Sequence, residues 1–180
     1  TDNAVIYTSP KFGQFKFDVG YTGENSDGDY HVGVEYQEDN TVFGVQYLDL
    51  GDDAFVANHK GSKEAVRLYT RYGFDSWSFS GSLEDVRQSD GEHERFLNVS
   101  VQKKLESFGR VAMSYGQIND ATLKLMDGSI QSGNGRGFSA GAFYNWAKDS
   151  EIYLLTSLLN FDGDNKQTSV ALGINYHFSL

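Results

Sequence analysis

The sequence contains no cysteine and one proline in 180 residues. Without cysteine the chain has neither a disulfide framework nor a thiolate metal site. Because proline cannot donate a hydrogen bond to a strand ladder, its scarcity permits long uninterrupted strands. No stretch approaches 18 consecutive apolar residues, which excludes a transmembrane helix. These absences leave a chain built from strands as the main possibility.

Basic residues are also few. The chain has 15 Lys and Arg against 25 Asp and Glu, giving a formal net charge of −10. A basic surface for nucleic acid is therefore missing, and we expect no nucleic-acid partner. In a pore, an acidic balance would favour cations. Acidic loops such as the one with Asp162 and Asp164 suggest Ca²⁺ or Mg²⁺ as an alternative to solvated charge. No other cofactor and no protein metal site is expected.

Alternation of apolar and polar residues is what the sequence has in abundance. Val170, Leu172 and Ile174, for example, alternate with Ala171 and Gly173. A period of two predicts strands with one apolar face. About eleven such segments (10–12) follow one another, at 4–9, 15–21, 30–36, 43–47, 66–72, 77–80, 97–102, 110–115, 138–146, 152–159 and 170–178.

The segments between these strands alternate in length. Short connections such as 38–41 and 75–76 alternate with long polar ones such as 49–64, 85–94 and 117–137. Outer-membrane barrels have short periplasmic turns and long external loops. Because strands in lipid cannot leave an edge unpaired, the sheet must close. We therefore predict an all-β fold, a transmembrane antiparallel up-and-down β-barrel wall that forms one domain over residues 1–180.

Aromatic residues collect near the ends of the predicted strands, as the interfacial girdles of a barrel require. The candidates for membrane-interface aromatics are Tyr21, Tyr36, Tyr72, Trp77, Trp146, Tyr176 and Phe178. Charged residues on the polar strand faces are candidates for pore lining, with solvated lumen residues as the alternative. They are Lys16, Asp18, Glu35, Arg67, Arg71 and Arg110.

The number of strands is odd, whereas single-chain bacterial barrels have even numbers with both termini on the periplasmic side. If the short turns are periplasmic, the first strand descends from the external side. We expect that strands preceding Thr1 complete the barrel, or that one strand, within 121–131 or just before Ala4, escapes the pattern. A second chain completing the barrel is a further alternative.

Three segments resemble the general-diffusion porins of Gram-negative bacteria. Asn3 to Phe15 resembles a strand, Ser-Pro turn and return strand in the middle of those chains, and Tyr144 to Tyr153 resembles a hairpin near their end. Val170 to Phe178 is similar to their terminal strand, although Ser179 and Leu180 follow it here. The resemblance implies the C-terminal portion of a sixteen-stranded trimeric porin.

The resemblance also implies function, location and partners. It implies an outer-membrane channel for passive diffusion of ions and small hydrophilic solutes, formed by a homotrimer among outer-membrane lipid and lipopolysaccharide. The C-terminal strand would be read by the barrel-assembly machinery. No nucleophile, base and acid occur in a catalytic pattern, so we expect no enzyme. A small monomeric barrel with a structural or adhesive role and no open pore is the alternative, and a soluble all-β binding domain is a third hypothesis.

Overall fold

A computed structural model describes residues 3–23, 28–49, 62–88, 91–106, 108–124, 130–147, 150–162 and 165–176. These residues form eleven strands. They are β1 (Asn3–Thr8), β2 (Phe15–Gly23), β3 (Asp29–Glu38), β4 (Thr41–Asp49), β5 (Ser62–Phe74), β6 (Trp77–Gln88), β7 (His93–Leu105), β8 (Gly109–Lys124), β9 (Ile130–Ala147), β10 (Ser150–Phe161) and β11 (Asn165–Tyr176). Each predicted segment coincides with one strand, so the all-β prediction is confirmed.

All eleven strands form one antiparallel sheet in which the order in space equals the order in sequence. Every strand pairs with the strands before and after it, as in an up-and-down meander. Within the described chain β1 pairs with β2 alone and β11 with β10 alone, so the sheet has two open edges. No described helix is long and apolar enough to cross a membrane.

The two faces of the sheet differ in chemistry, as the alternation predicts. One face, called here the outer face, presents apolar side chains that would form the core of a soluble protein. Leu83 is 55% exposed, Val19 is 44% exposed and Leu172 is 76% exposed. Exposed apolar area of this extent marks contact with lipid or with another protein. The opposite face, called here the inner face, carries the polar and charged residues.

Tight turns join the strands at one end of the sheet. Two residues separate β3 from β4 and two separate β5 from β6, and in each turn an aspartate, Asp39 or Asp75, has positive φ. Aspartate tolerates the left-handed conformation better than most residues. At this end β1 and β2 are joined through Ser9 and Pro10, where the Ser9 amide donates to the Phe17 carbonyl at 2.8 Å.

At the opposite end two predicted loops are partly strand. The predicted loop 117–137 is wrong, because β8 continues to Lys124 and β9 begins at Ile130. The pairing continues past a register shift between Ile118 and Ala121, where Asp120 has a φ of 56°. The predicted loop 85–94 is wrong in the same way, because strand pairing extends to Gln88 and resumes at His93. Polar sequence does not exclude strand pairing where the strand rises above the apolar band.

Candidate pore wall

The inner face brings together all six charged residues predicted to line a pore. Cross-strand pairing aligns Asp18 with Gly33, Gly33 with Gln46, and Gln46 with Arg67. Because paired residues point to the same face of a sheet and alternate residues share it, these pairings determine which side chains share the inner face. Lys16, Glu35, Arg71 and Arg110 follow by the same register. Their role in lining a pore stays a prediction.

Most of these charges have partners on the inner face. The Arg67 guanidinium donates to Glu84 at 2.5 Å, joining β5 to β6. His31 lies 3.1 Å from the Asp18 carboxylate, joining β3 to β2. Glu35 accepts a hydrogen bond of 2.9 Å from the Tyr69 hydroxyl.

Arg110 belongs to a separate cluster near the tight turns. Its guanidinium donates to both carboxylate oxygens of Glu151, at 3.0 and 3.2 Å, and lies 3.7 Å above the centre of the Phe143 ring. Asn175 donates to the same carboxylate at 2.9 Å. These contacts link β8, β9, β10 and β11 across the sheet. Arg110 therefore stiffens the wall, and its charge is largely offset by Glu151.

Sequence reasoning missed the partners of these residues. Glu84, Glu151 and Tyr69 lie on polar strand faces, but nothing in their strands singles them out. Their importance comes from register, which places Glu84 opposite Arg67 and Tyr69 opposite Gly44. The one local indication was whether each residue occupies an odd or an even position in its strand, because that position determines the face of the sheet on which it lies.

Glycines on the inner face make room for large neighbours. A Cβ built at Gly44 would collide with the Tyr69 ring, and one at Gly20 would collide with the His31 ring. A Cβ at Gly173 would meet the Tyr153 ring. These rings therefore lie flat over the glycines of the adjacent strand instead of projecting away from the sheet. They extend less far from the inner face as a result.

Farther along the sheet the inner face is covered by small residues. Strands β7 to β11 there form a shallow depression of about 410 Å³, and Phe143 and Leu155 are the large side chains of the inner face that line it. Its lining includes Ser100, Ala112, Ser114, Ser139, Gly141, Ser157, Ser169 and Ala171. Midway along the strands, the inner face is thus charged on β2 to β6 and uncharged on β7 to β11, where its charges lie nearer the strand ends.

The charges of the described inner face nearly balance. By register it carries five cations and six anions, although the whole chain has a net charge of −10. The cations are Lys16, Arg67, Arg71, Lys104 and Arg110, and the anions are Asp18, Asp29, Glu35, Glu84, Glu94 and Glu151. Most of the acidic excess of the sequence therefore lies in the segments between the strands.

Comparison with known proteins decides the family. The profile of the Gram-negative porins matches residues 1–179. The chain belongs to this family. The resemblance in the sequence is therefore confirmed, and the chain is an outer-membrane porin of a Gram-negative bacterium. No curated protein matches the chain.

Solved porin structures share the fold. The anion-selective porin from Comamonas acidovorans is similar with a TM-score of 0.76 and 16% identity, over 98% of this chain and 59% of that one. A porin refined at 1.8 Å resolution has a TM-score of 0.73 and 13% identity, over 98% and 62%. A loop-deletion mutant of the outer membrane protein OmpT of Vibrio cholerae has a TM-score of 0.70 and 11% identity, over 96% of this chain and 62% of that one. The chain thus spans about three fifths of these porins.

The predicted interface aromatics of this porin chain lie near both ends of the strands. Tyr36, Tyr72, Trp77 and Trp146 are near the tight turns, and Tyr21 is near the opposite end. Tyr72, Trp77 and Trp146 are between 38% and 50% exposed. Tyr36 packs on Phe15 with ring centres 5.4 Å apart and donates to Glu38. The side chain of Tyr176 and all of Phe178 lie outside the described residues.

Metal binding finds no geometric support in the described part of this porin. No group of three or more histidines or carboxylates there is placed to hold an ion. Asp162 instead accepts hydrogen bonds from the backbone and side-chain amides of Asn134, at 2.8 and 3.0 Å. Asp164, the other residue of the suggested cation loop, lies outside the described residues. A loop Ca²⁺ or Mg²⁺ stays a prediction.

Proposed function

We propose that this chain forms part of the wall of a water-filled channel for passive diffusion of ions and small hydrophilic solutes. The observation that supports this function is the division of one continuous sheet into an apolar outer face and a charged inner face. Lipid on one side and water on the other satisfy both faces at once. Family membership supports the same function, since porins are typically channels and not enzymes. We expect the chain to catalyse no reaction.

The open edges support the proposal that additional strands complete the barrel. Each unpaired backbone group in lipid costs several kcal/mol, so neither β1 nor β11 can remain an edge there. The similar porins are longer than this chain, which supports strands from the same polypeptide over a second chain. The denatured protein from outer membranes should then have a mass well above the 20.0 kDa of this sequence. A measured mass of 20.0 kDa would require another copy or a second chain to close the barrel.

The quaternary structure and the partners are also proposals. Family membership supports a homotrimer surrounded by outer-membrane lipid and lipopolysaccharide. It likewise supports recognition of the terminal strand by the barrel-assembly machinery. Chemical cross-linking of the folded protein in mild detergent should give a ladder that ends at three chains.

Conductance in planar lipid bilayers tests the channel directly. The protein purified from outer membranes should insert in uniform current steps that remain open at low voltage. The Arg110→Ala variant should show noisier steps, because the cluster that links β8 to β11 is lost. Folded protein without conductance would overturn the channel and favour the small plugged barrel.

A further inference from the structure

The shallow depression on the inner face of β7 to β11 has a polar side and an apolar side. The polar side is a row of serines that the register places next to one another on five consecutive strands. These residues, called here the serine row, are Ser100, Ser114, Ser139, Ser157 and Ser169. Because neighbouring strands lie about 4.8 Å apart, the row presents a hydroxyl group at each such interval across the sheet.

Most hydroxyl groups of the serine row are available to a solute. Ser100 shares a hydrogen bond of 2.6 Å with Ser80 on β6. The other four serines have no hydrogen-bond partner among the described residues. A serine hydroxyl donates one hydrogen bond and accepts up to two, so each of them can pair with a donor or with an acceptor. The row therefore suits a solute whose own groups are hydroxyls, since these also bond in either direction.

Apolar side chains form the side of the depression nearer the tight turns. A Cβ built at Gly141 would lie 2.6 Å from Cδ2 of Leu155 and 3.0 Å from Cε2 of Phe143, so both side chains lean over this glycine. Ala112 and Ala171 continue the row of Gly141 on β8 and β11. No charged side chain of the described chain lines the depression. It thus offers hydrogen bonds on one side, an apolar surface on the other, and no charge.

We propose that this depression is a subsite for neutral polyhydroxylated solutes, such as monosaccharides, and this inference rests on the proposed function. A monosaccharide ring carries hydroxyl groups at its edge and C–H groups on its faces, so it matches the serine row and the surface of Leu155 and Phe143 at once. The volume of about 410 Å³ lies within the range of small-molecule sites, about 300–1,000 Å³. An inorganic ion would meet no opposite charge there. Because the depression is shallow, we expect weak binding, which allows a solute to leave again.

Binding of D-glucose to the folded protein tests the proposal. Protein purified from outer membranes is held in a deuterated detergent without a sugar headgroup, and saturation-transfer NMR measures the dissociation constant of glucose. The double variant Ser139→Ala/Ser157→Ala removes two central hydroxyl groups and should raise this constant about tenfold. The control Ser78→Ala/Ser82→Ala makes the same chemical change on the inner face of β6, outside the depression, and should bind glucose like the parent protein.

Several outcomes would overturn the subsite. Equal affinity of the parent and the double variant would do so, as would an equal loss in the control. Raising KCl tenfold should leave glucose binding unchanged, and a marked loss would place the sugar at the charged part of the wall instead. If the double variant fails to fold, Ala112→Leu decides, because its larger side chain beside Gly141 fills the depression while every hydroxyl remains, and unchanged binding would contradict the site. The assay does not depend on conduction, so failure of the sugar subsite and failure of the channel are distinguishable.

Discussion

At the scale of single residues, pairing determines how strongly a charge acts on its surroundings. Arg67 has the same formal charge as Arg71, but it is bound to Glu84 at 2.5 Å. Within the described residues no carboxylate lies at ion-pair distance from Arg71. In the proposed channel, a passing anion would be attracted by Arg71, whereas at Arg67 it would meet a pair whose charges largely cancel.

Removing the Glu84 charge should release that of Arg67. A unit charge about 7 Å from an ion in water changes the energy of the ion by about 0.6 kcal/mol, and salt screening lowers this further. We expect Glu84→Gln to raise the chloride-to-potassium permeability ratio about twofold. The reversal potential under a KCl gradient measures the ratio. Glu38→Gln, with the same charge change on the outer face, should leave it unchanged, and equal shifts in both variants would contradict the role of Glu84.

A side chain at Gly44 is incompatible with the observed position of the Tyr69 ring. A methyl group at Gly44 forces the Tyr69 ring away, and the hydrogen bond from Tyr69 to Glu35 is then lost. Loss of such a bond costs about 1 kcal/mol, and overpacking adds to it. Samples are incubated at increasing temperature and then run on a gel that is not heated further. Gly44→Ala should lower the incubation temperature at which the band of the folded protein disappears. Gly81→Ala is the control, because its nearest neighbour lies 3.6 Å away, and an equal effect there would refute the crowding at Gly44.

At the scale of elements, the start of β8 depends on one glycine. Gly109 has a φ of 135°, and a Cβ there would collide with the Phe143 carbonyl of the paired strand β9. Gly109→Ala should cost more than about 3 kcal/mol, because backbone strain and a backbone clash combine. Urea unfolding monitored by tryptophan fluorescence measures the loss.

Gly91 separates the two causes. It has a φ of 86°, but nothing lies within 4 Å of a Cβ built there. Gly91→Ala should therefore cost only the conformational strain, about 1 kcal/mol. If both variants are destabilised equally, strain alone explains Gly109 and the contact with Phe143 contributes nothing.

The strands were predictable because the alternation survives in each of them. Strand ends were less predictable where the sequence is polar, as between Gln117 and Gly137, since alternation carries no signal when both faces meet water. The site was predictable only in part. Parity placed Arg67 and Arg71 on the polar face, whereas the pairing of Arg67 with Glu84 depends on a register that brings residues 17 positions apart together. Sequence patterns within one strand contain no information about that register.

At the scale of the whole molecule, net charge does not describe the wall. The negative balance of the sequence suggested a preference for cations, but the described inner face carries five cations against six anions and is nearly neutral. We therefore expect weak ion selectivity. Under a tenfold KCl gradient the reversal potential should stay well below the roughly 59 mV of an ideally selective pore. A reversal potential near that limit, with the sign expected for a potassium-selective pore, would show that charges outside this face dominate permeation.

The sequential order of the strands has a consequence for how such a molecule can change in evolution. Because every strand borders only the strands before and after it, each hairpin is a local module. Duplicating or deleting one hairpin would alter the circumference by two strands without rerouting any connection, and diameter grows roughly linearly with strand number. Pore width is thus adjustable in discrete steps by ordinary gene duplication, while the chemistry of the remaining hairpins is inherited unchanged.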